Sequence, residues 1–319
     1  MKCQVCRGPA VIDVRRHNAN FCAEHFCKLV RDQTAKAIEE FSMLAPGERV
    51  LVAVSGGKDS LALWDILREL GYEADGFYVG LGIGGYSDRS GAAVRAFAAA
   101  RGLTLHEVGL RDDYDYDVPT AAAVTRRSPC SACGLSKRHL FDRAALDHGY
   151  DAVATGHNLD DEAAVLFGNT LRWQTEYLAR QHPVLAARPG FPRKVKPLVR
   201  LGEREMAAYC VLQGIDYIVE ECPMAEGNKH LGYKEALNEI EATSPGSKQA
   251  FYFGFLARAV DRFADAAPAH AEAEVGTAAT CDRCGVPTTS GTCAFCRLLD
   301  KASGAEPVRL TRKGRSIDA

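Results

Sequence analysis

The chain has 319 residues, of which 47% are hydrophobic and 25% are charged, and this composition is typical of a soluble globular protein with one large domain and small additional modules. The formal net charge of −2 excludes a uniformly basic nucleic-acid-binding protein, so an RNA-binding surface would have to be a local basic patch. The sequence has no apolar run of about 18 residues, and its start does not resemble a signal peptide, which predicts a cytoplasmic protein without a membrane span.

Residues 1–28 are predicted to form a small zinc finger. The chain contains 12 cysteines, and close cysteine pairs in a sequence without an export signal favour metal binding over disulfides. Two such pairs provide four ligands for a closed tetrahedral site, namely Cys3, Cys6, Cys22 and His25. Cys27 is an alternative to His25 because its spacing from Cys22 also suits zinc, but we favour His25. So short a segment has little core, so the metal would supply its folding energy.

The stretch that begins at Ser55 organises the rest of the chain. After a predicted helix over residues 29–45, residues 50–54 have the pattern of a buried parallel strand, and a glycine loop leads into an apolar-periodic helix. The glycines allow close approach of the backbone, and the helix start presents free N–H groups to an anion. The loop is not a Walker A motif, because it lacks the first glycine and Asp follows the Lys. Its predicted nucleotide-binding residues are Ser55, Gly56, Gly57, Lys58, Asp59 and Ser60.

Strands alternate with helices downstream of this loop. Further strands are predicted over residues 74–81, 103–108 and 151–155, with a strand-like run at 217–219. Helices are predicted between them over residues 87–100 and 128–148. The alternation predicts an α/β fold with a doubly wound parallel sheet of five strands, whose ligands lie at the carboxyl ends of the strands. The loop at 82–85 is then either an edge of the nucleotide site or a plain turn.

Three further cysteines lie outside the predicted fingers. Cys130 and Cys133 form a CxxC pair at the start of a predicted helix, where the helix N-terminus favours thiolates, and Lys137 lies one turn beyond Cys133. Cys222 follows the strand-like run. The three thiols suit an iron–sulfur cluster, a persulfide carrier, a redox pair or a third zinc site. The third zinc site is disfavoured because no fourth ligand is evident beside Cys222.

A polar segment follows the predicted strand over residues 151–155. Its carboxylates, at Asp160, Asp161 and Glu162, lie at a predicted helix start and are suited to stabilise the helix dipole. That explanation does not account for Gly156-His157-Asn158 directly before them.

The C-terminal part contains a second finger with the spacing of a zinc ribbon or knuckle, whose predicted ligands are Cys281, Cys284, Cys293 and Cys296. A basic loop at Arg193, Lys194 and Lys196 is expected to bind RNA together with the fingers. Helices are predicted over residues 203–214, with Cys210 as a core thiol, and over 230–265, followed by a linker at 264–279 and a basic tail. The predicted domain limits are 1–28, 29–270, 271–300 and 301–319.

Together these parts resemble the tRNA 2-thiolation enzymes of the TtuA type, within the PP-loop ATP pyrophosphatase superfamily. The resemblance covers nearly the whole chain and rests on the two fingers, Ser55–Ser60, residues 130–138, residues 154–163 and Glu221-Cys222-Pro223. It implies an adenine nucleotide alpha hydrolase-like core with a small zinc finger at each terminus. It also implies ATP contacts at Ala53 and Gly156 besides those of the loop, and catalytic roles for Lys137 and Asp161.

The resemblance further implies cofactors and partners. Cys130, Cys133 and Cys222 are expected to hold a [4Fe–4S] cluster, each finger is expected to hold one Zn²⁺, and Mg²⁺ is expected to accompany ATP. The expected reaction adenylates the C2 oxygen of the T-loop uridine 54 of tRNA and replaces it by sulfur. A ubiquitin-like carrier with a C-terminal thiocarboxylate would donate the sulfur, and the enzyme would be a homodimer.

Four alternative functions remain at the level of sequence. The sister enzyme that thiolates the wobble uridine 34 shares the fingers and the cysteines. The zinc fingers argue against a cytidine 2-thiolation enzyme, and the three central cysteines argue against a PP-loop ligase or amidotransferase. The intact nucleotide loop argues against a zinc-finger RNA-binding module without enzymatic activity.

Overall fold

A computed structural model describes residues 1–225, 229–266 and 279–308, together with the backbone of residues 311–312 and 315–316. Most of the predicted linker at 264–279 and most of the basic tail lie outside the described residues. None of the helices within the described ranges has the length and apolar character needed to cross a bilayer.

The chain begins with a finger built on a two-stranded antiparallel sheet. Strands β1 (Ile12–Val14) and β2 (Ala19–Phe21) pair, and helix α1 (Ala23–Glu40) follows directly, with Cys22 as its N-cap. The helix predicted over residues 29–45 therefore starts earlier, because the second ligand pair of the finger lies at its N-terminus. A continuous helix, rather than a loop, joins the finger to the core.

A six-stranded sheet forms the centre of the fold. Its strands are β3 (Arg49–Val54), β4 (Glu73–Gly80), β5 (Leu105–Gly109), β6 (Ala152–Thr155), β7 (Val184–Leu185) and β8 (Arg193–Val195). Their order is β5-β4-β3-β6-β8-β7, and only β7 runs antiparallel to its neighbour. The prediction of a parallel α/β sheet is confirmed, with one antiparallel strand added at the edge.

The fifth parallel strand is not the one that the sequence suggested. Residues 217–219 form no strand and instead pass over the glycine loop, where the Ile218 N–H donates to the Gly56 carbonyl at 2.9 Å. The prediction of a basic loop at residues 193–196 is also wrong, because Arg193–Val195 is β8. Ion pairs to carboxylates elsewhere in the chain neutralise its charges, so its sequence lacks the usual apolar pattern of a sheet strand.

Helices cover both faces of the sheet. In chain order they are α2 (Lys58–Glu69), α3 (Gly84–Arg101), α4 (Leu110–Tyr114), α5 (Val118–Thr125), α6 (Pro129–Asp147), α7 (Leu159–Leu171), α8 (Thr175–Leu178), α9 (Glu203–Leu212), α10 (Lys229–Thr243), α11 (Ser247–Arg258) and α12 (Ala294–Ala302). The helix predicted over residues 230–265 is divided at Pro245-Gly246, because Gly246 has a φ of +95°.

The two fingers pack on opposite faces of the sheet. Val50, Val52 and Val54 of β3 share one hydrophobic core with the N-terminal finger, α1, α2 and α9. Leu51 lies in a second core, which contains residues of α5, α6, α12 and the C-terminal finger. Since side chains of β3 alternate between the two cores, helices cover both faces of the sheet. The carboxyl ends of β3 and β6 stay open between these helices, and the loops that follow the strands meet there.

Candidate functional site

The glycine loop after β3 is held in one conformation by its own hydrogen bonds. The Ser60 hydroxyl accepts from the Ser55 N–H at 3.1 Å and donates to the Gly57 carbonyl at 3.0 Å. Gly56 has a φ of +79°, and a Cβ there would lie 2.8 Å from the Ser90 carbonyl oxygen. Only glycine fits this position, since both the backbone conformation and the contact exclude a side chain.

The loop after β6 is fastened to the start of α2. A Cβ at Gly156 would lie 2.9 Å from the Ser60 nitrogen, so the two backbones touch at this point. The Asn158 side-chain amide donates to Asp59 at 2.9 Å, while its oxygen caps α7 by accepting from the Asp160 and Asp161 N–H groups. The segment Gly156-His157-Asn158 therefore holds the start of α7 against the glycine loop. This contact accounts for the residues that precede the carboxylates of α7, which the helix-dipole explanation left unexplained.

A cavity of about 470 Å³ opens at the carboxyl ends of β3 and β6, and we call it the nucleotide cavity after the predicted ligand of the glycine loop. Its volume is within the size range of small-molecule sites. Other residues on its wall include Lys137, Arg138, Phe141 and His157. Gly56 and Lys58 do not line it. The predicted loop at 82–85 does not line it either, and its last two residues, Gly84 and Gly85, are the first residues of α3. The predicted ATP-binding residues on its wall are Ala53, Ser55, Gly57, Asp59, Ser60 and Gly156.

A chain of four charges joins the glycine loop to Asp161. The Lys58 ammonium lies 2.6 Å from a Glu203 oxygen and 3.2 Å from Asp59. The Lys234 ammonium lies 2.6 Å from Asp161 and 3.4 Å from the other Glu203 oxygen. No sequence motif identifies Glu203 or Lys234. The sequence indicates only that Lys58, which directly follows the glycine loop, needs a carboxylate partner if it is buried.

These ion pairs shift the ionisation of the carboxylates. Burial acts to raise the pKa of Asp161, but the Lys234 ammonium and His157 outweigh it and hold that pKa below its usual range. Burial likewise acts to raise the pKa of Glu203, and its hydrogen bond from Lys58 lowers the pKa overall. Burial acts to lower the pKa of Lys234, but Asp161 and Glu203 raise it. Asp161, Glu203 and Lys234 are therefore all charged at neutral pH.

A second cavity, of about 250 Å³, is lined by Cys130, Cys133 and Cys222, and we call it the thiol pocket. It shares Ser55, Gly134 and Lys137 with the nucleotide cavity, so the two cavities have a common wall. Within the described ranges, the three sulfur atoms do not all lie within 4.8 Å of one another. The sulfurs around one tetrahedral zinc, with bonds of about 2.3 Å, would be closer, so the thiol pocket does not fit a third zinc site.

Each terminal finger brings four potential metal ligands within 4.8 Å of one another. In the N-terminal set, the Cys22 sulfur lies 3.0 Å from His25 Nδ1, whereas Cys27 is buried in the hydrophobic core. Cys210 is also a core thiol, and its sulfur donates to the Lys58 carbonyl. The two sets are those expected from the sequence: Cys3, Cys6, Cys22 and His25, and Cys281, Cys284, Cys293 and Cys296.

The three cations expected to bind RNA form ion pairs with carboxylates of the same chain. Arg193 pairs with Glu48, Lys194 lies 2.7 Å from Asp142, and Lys196 lies 2.7 Å from Glu162. Lys194 and Lys196 also line the nucleotide cavity. These cations are therefore paired within the protein, and their expected contact with RNA stays a prediction.

Comparisons with known proteins agree with this geometry. The family described as the N-terminal LIM domain of 2-thiouridine synthetase TtuA matches residues 2–27, and the PP-loop domain family matches residues 29–227. The tRNA-5-methyluridine(54) 2-sulfurtransferase of Thermus thermophilus is 51% identical, over 94% of this chain and 91% of that protein. The protein of the same name from Pyrococcus horikoshii is 41% identical, over 93% of each chain.

A solved structure has the same fold. The U34-tRNA thiolase NcsA from Methanococcus maripaludis, described with its [4Fe–4S] cluster, matches with a TM-score of 0.76 and 24% identity. The match covers 97% of this chain and 99% of that one. At this identity the similarity shows the arrangement of the sheet, the helices and the fingers, and nothing finer.

Proposed function

We propose that this chain, which belongs to the family of tRNA-5-methyluridine(54) 2-sulfurtransferases, replaces the C2 oxygen of a tRNA uridine by sulfur in an ATP-dependent reaction. The observation that carries the proposal is the common wall of Ser55, Gly134 and Lys137 between the nucleotide cavity and the thiol pocket. An oxygen activated by the nucleotide and a sulfur-bearing group can meet there without crossing bulk solvent.

The reaction has to turn the C2 oxygen into a leaving group. In the proposed sequence this oxygen attacks the α-phosphorus of ATP, and pyrophosphate leaves. A sulfur nucleophile at the oxidation level of sulfide then adds at C2, and AMP departs with the original oxygen. No external oxidant or reductant is needed in this balance.

Residues of the two loops are suited to separate parts of this reaction. The glycine loop and the first turn of α2 offer backbone N–H groups to the phosphates, whose charge Mg²⁺ would help to neutralise. Lys137, on the common wall, is suited to stabilise negative charge on the adenylated oxygen. Asp161, ionised through its pair with Lys234, is suited to orient the base or the metal ion.

The thiol pocket fits an iron–sulfur cluster held by Cys130, Cys133 and Cys222. The three thiols line one cavity, are too dispersed for a single zinc, and include two near the N-terminus of α6. A [4Fe–4S] cluster with three thiolate ligands supplies one iron that is open to an incoming sulfur. The thiolase NcsA from Methanococcus maripaludis is described with a [4Fe–4S] cluster, and for this chain the assignment depends on its own thiols.

The finer parts of the proposal follow the family. Uridine 54 is favoured over the wobble uridine 34, because the relatives at 51% and 41% identity are named for position 54. We further propose sulfur delivery by a ubiquitin-like carrier with a C-terminal thiocarboxylate, one Zn²⁺ in each finger, a homodimer and a cytoplasmic location.

The test is an anaerobic reconstitution with iron and sulfide, followed by thiolation of tRNA transcripts that carry uridine at position 54 alone or at position 34 alone. We expect sulfur at position 54 by mass spectrometry, with AMP and pyrophosphate released in step. Cys130→Ala, Cys133→Ala and Cys222→Ala should each lose the cluster and the activity, whereas Cys27→Ala, a change at a core thiol, should retain both.

Two results would refute parts of this proposal. Thiolation at full rate by iron-free protein supplied with a thiocarboxylate donor would show that the donor sulfur adds at C2 without the cluster. Sulfur found only at position 34 would assign the chain to the wobble-uridine reaction.

A further inference from the structure

The two tryptophans of the chain lie in opposite environments. Trp64 is completely buried, whereas 71% of Trp173 is exposed. Trp173 also has a φ of +48°, a left-handed conformation that is strained for a bulky residue. This conformation ends helix α7, because the Trp173 N–H donates to the Thr170 carbonyl at 3.1 Å and the Gln174 N–H donates to the Asn169 carbonyl at 3.0 Å. The feature that calls for an explanation is therefore the exposure of the ring, since so large an apolar side chain is seldom left in solvent.

Most of the exposed residues around Trp173 are aromatic or basic, with Glu176 as an acidic exception, and the Arg172 guanidinium lies 5.9 Å from the centroid of the Tyr233 ring. Tyr177 is 60% exposed, and Arg172 and Arg180 are exposed as well. Within the described part of the chain, neither guanidinium lies within 4.0 Å of a carboxylate. We call Arg172, Trp173, Tyr177 and Arg180 the aromatic–arginine surface. It differs in this respect from Arg193, Lys194 and Lys196, whose charges are all paired.

We propose that the aromatic–arginine surface binds the tRNA substrate, with Trp173 stacked on an unpaired base and the two arginines on phosphates. This inference rests on the proposed function. Exposed aromatic rings flanked by unpaired arginines are the elements with which proteins hold unstacked nucleotides. A second copy of this chain is a poorer occupant, because a stable protein interface uses about 20 to 30 residues a side and this surface is small and charged.

The surface has a fixed relation to the reaction site. Asp161 lies in the first turn of helix α7, which ends at Leu171, and Trp173 is the second residue after that end. Its 13 residues, at about 1.5 Å each, separate the surface from the site by roughly 20 Å, about six stacking steps along a nucleic-acid strand. A tRNA with one base in the nucleotide cavity is large enough to reach this surface, and the helix keeps the two contacts in register.

The experiment measures binding of an unmodified tRNA transcript to the full chain, loaded anaerobically with iron and zinc. Because Trp64 is buried, quenching of tryptophan fluorescence on tRNA binding should come from Trp173 and disappear in Trp173→Phe. Trp173→Ala should weaken tRNA binding about tenfold and raise the KM for tRNA, with kcat at saturating tRNA unchanged. Trp173→Phe should bind nearly as the parent, since its ring still stacks.

Two further variants separate binding from folding. Trp173→Gly relieves the left-handed strain, so its melting temperature should equal or exceed that of the parent while its tRNA affinity falls as in Trp173→Ala. The double variant Arg172→Gln, Arg180→Gln should flatten the salt dependence of binding by about one to two units of slope. Val211→Ala, at an exposed apolar side chain on α9, is the matched control and should leave the affinity unchanged.

The outcomes distinguish this inference from the proposed function. If the parent thiolates tRNA but Trp173→Ala and Trp173→Gly bind it with the affinity of the parent, the surface is not a tRNA site. If Trp173→Ala instead converts a dimer into a monomer in sedimentation experiments, the surface is an interface between copies, and the inference is overturned. A parent that binds and thiolates no tRNA would refute the proposed function itself.

Discussion

The charge on Asp161 is controlled by a residue from a distant part of the chain. Lys234 on α10 contributes the ammonium that holds the pKa of this carboxyl below its ordinary value of 3.8. A carboxylate with a lowered pKa contributes stability that is present above the ordinary value and is lost as the pH falls through the lowered one. Asp161 should therefore stay ionised throughout neutral and mildly acidic conditions.

Replacing Lys234 by Met should shift the pH dependence of thiolation. Without the ammonium, burial raises the pKa of Asp161, so the acidic limb of the kcat/KM profile should move to higher pH. Lys234→Arg should restore the original limb, and Lys229→Met, at an exposed lysine on the same helix, should not move it. A profile that stays in place in Lys234→Met would show that Asp161 is ionised without this partner.

The residues of the site differ in how far the sequence reveals them. Ser55–Ser60 form a contiguous glycine loop after a predicted strand, so their pattern predicts a phosphate site, whereas the roles of Lys137 and Asp161 are implied by the family resemblance. Glu203 and Lys234 belong to no motif, and only the fold brings them to Lys58 and Asp161. Trp173 is equally hidden, because its exposure and its positive φ are properties of the folded chain.

At the scale of elements, α6 joins the proposed cluster to the C-terminal finger. Its first turn carries Cys130 and Cys133, and the Ser128 hydroxyl caps it by accepting from the Ser131 N–H at 3.3 Å. Near its middle, His139 stacks on Phe295 of the finger with ring centroids 4.0 Å apart. Burial lowers the pKa of His139 to about 4, so this stack involves a neutral imidazole at physiological pH.

Removal of the cap should loosen the first turn of α6. Ser128→Ala should lower the stability by about 1 kcal/mol, which corresponds to roughly 2 °C in melting temperature, and should hasten loss of iron to a chelator. Ser128→Asn should behave like the parent, because Asn is an equally good N-cap. Equal rates of iron loss in Ser128→Ala and the parent would mean that the cap does not support the thiols.

The same helix shows which elements a sequence can predict. Helix α6 was expected over residues 128–148 and spans Pro129–Asp147, because Ser128 and Pro129 are local start signals. Strand β8 carries no such signal, since its arginine and lysine are neutralised by Glu48 and Asp142 from other elements. The sequence predicts an element correctly when the residues that determine it lie within that element. It fails when the determining residues belong to other elements of the fold.

On the scale of the whole molecule, the fingers extend the two cores rather than standing apart from them. Cys281, Cys293, Phe295 and Cys296 of the C-terminal finger are buried in the same core as Ala132 and Leu140 of α6. In the nucleotide cavity, α6 contributes only one wall, whereas the glycine loop that would bind the phosphates follows β3 and is fastened to the loop after β6. The C-terminal metal should therefore support α6 without being required for nucleotide binding.

Elemental analysis of Cys284→Ser tests this separation. The parent should contain about two zinc atoms per chain and the variant about one, because a closed structural site needs all four ligands. The affinity for ATP, measured by calorimetry, should remain that of the parent. Cys6→Ser should lose the other zinc and serves as the matched control. Unchanged zinc in Cys284→Ser, or loss of ATP binding, would contradict the assignment.

The hydrogen bond from the Ile218 N–H to the Gly56 carbonyl physically connects the glycine loop to the segment that leads to the thiol pocket. The segment that covers the glycine loop reaches Cys222 only four residues later, so whatever orders one end of it favours order at the other. If both bind, nucleotide should then raise the equilibrium affinity for the cluster by the same factor by which the cluster raises the affinity for nucleotide. A molecule that loses its iron to oxygen would then also bind ATP more weakly. It would be inactive and would not hydrolyse ATP without thiolating tRNA.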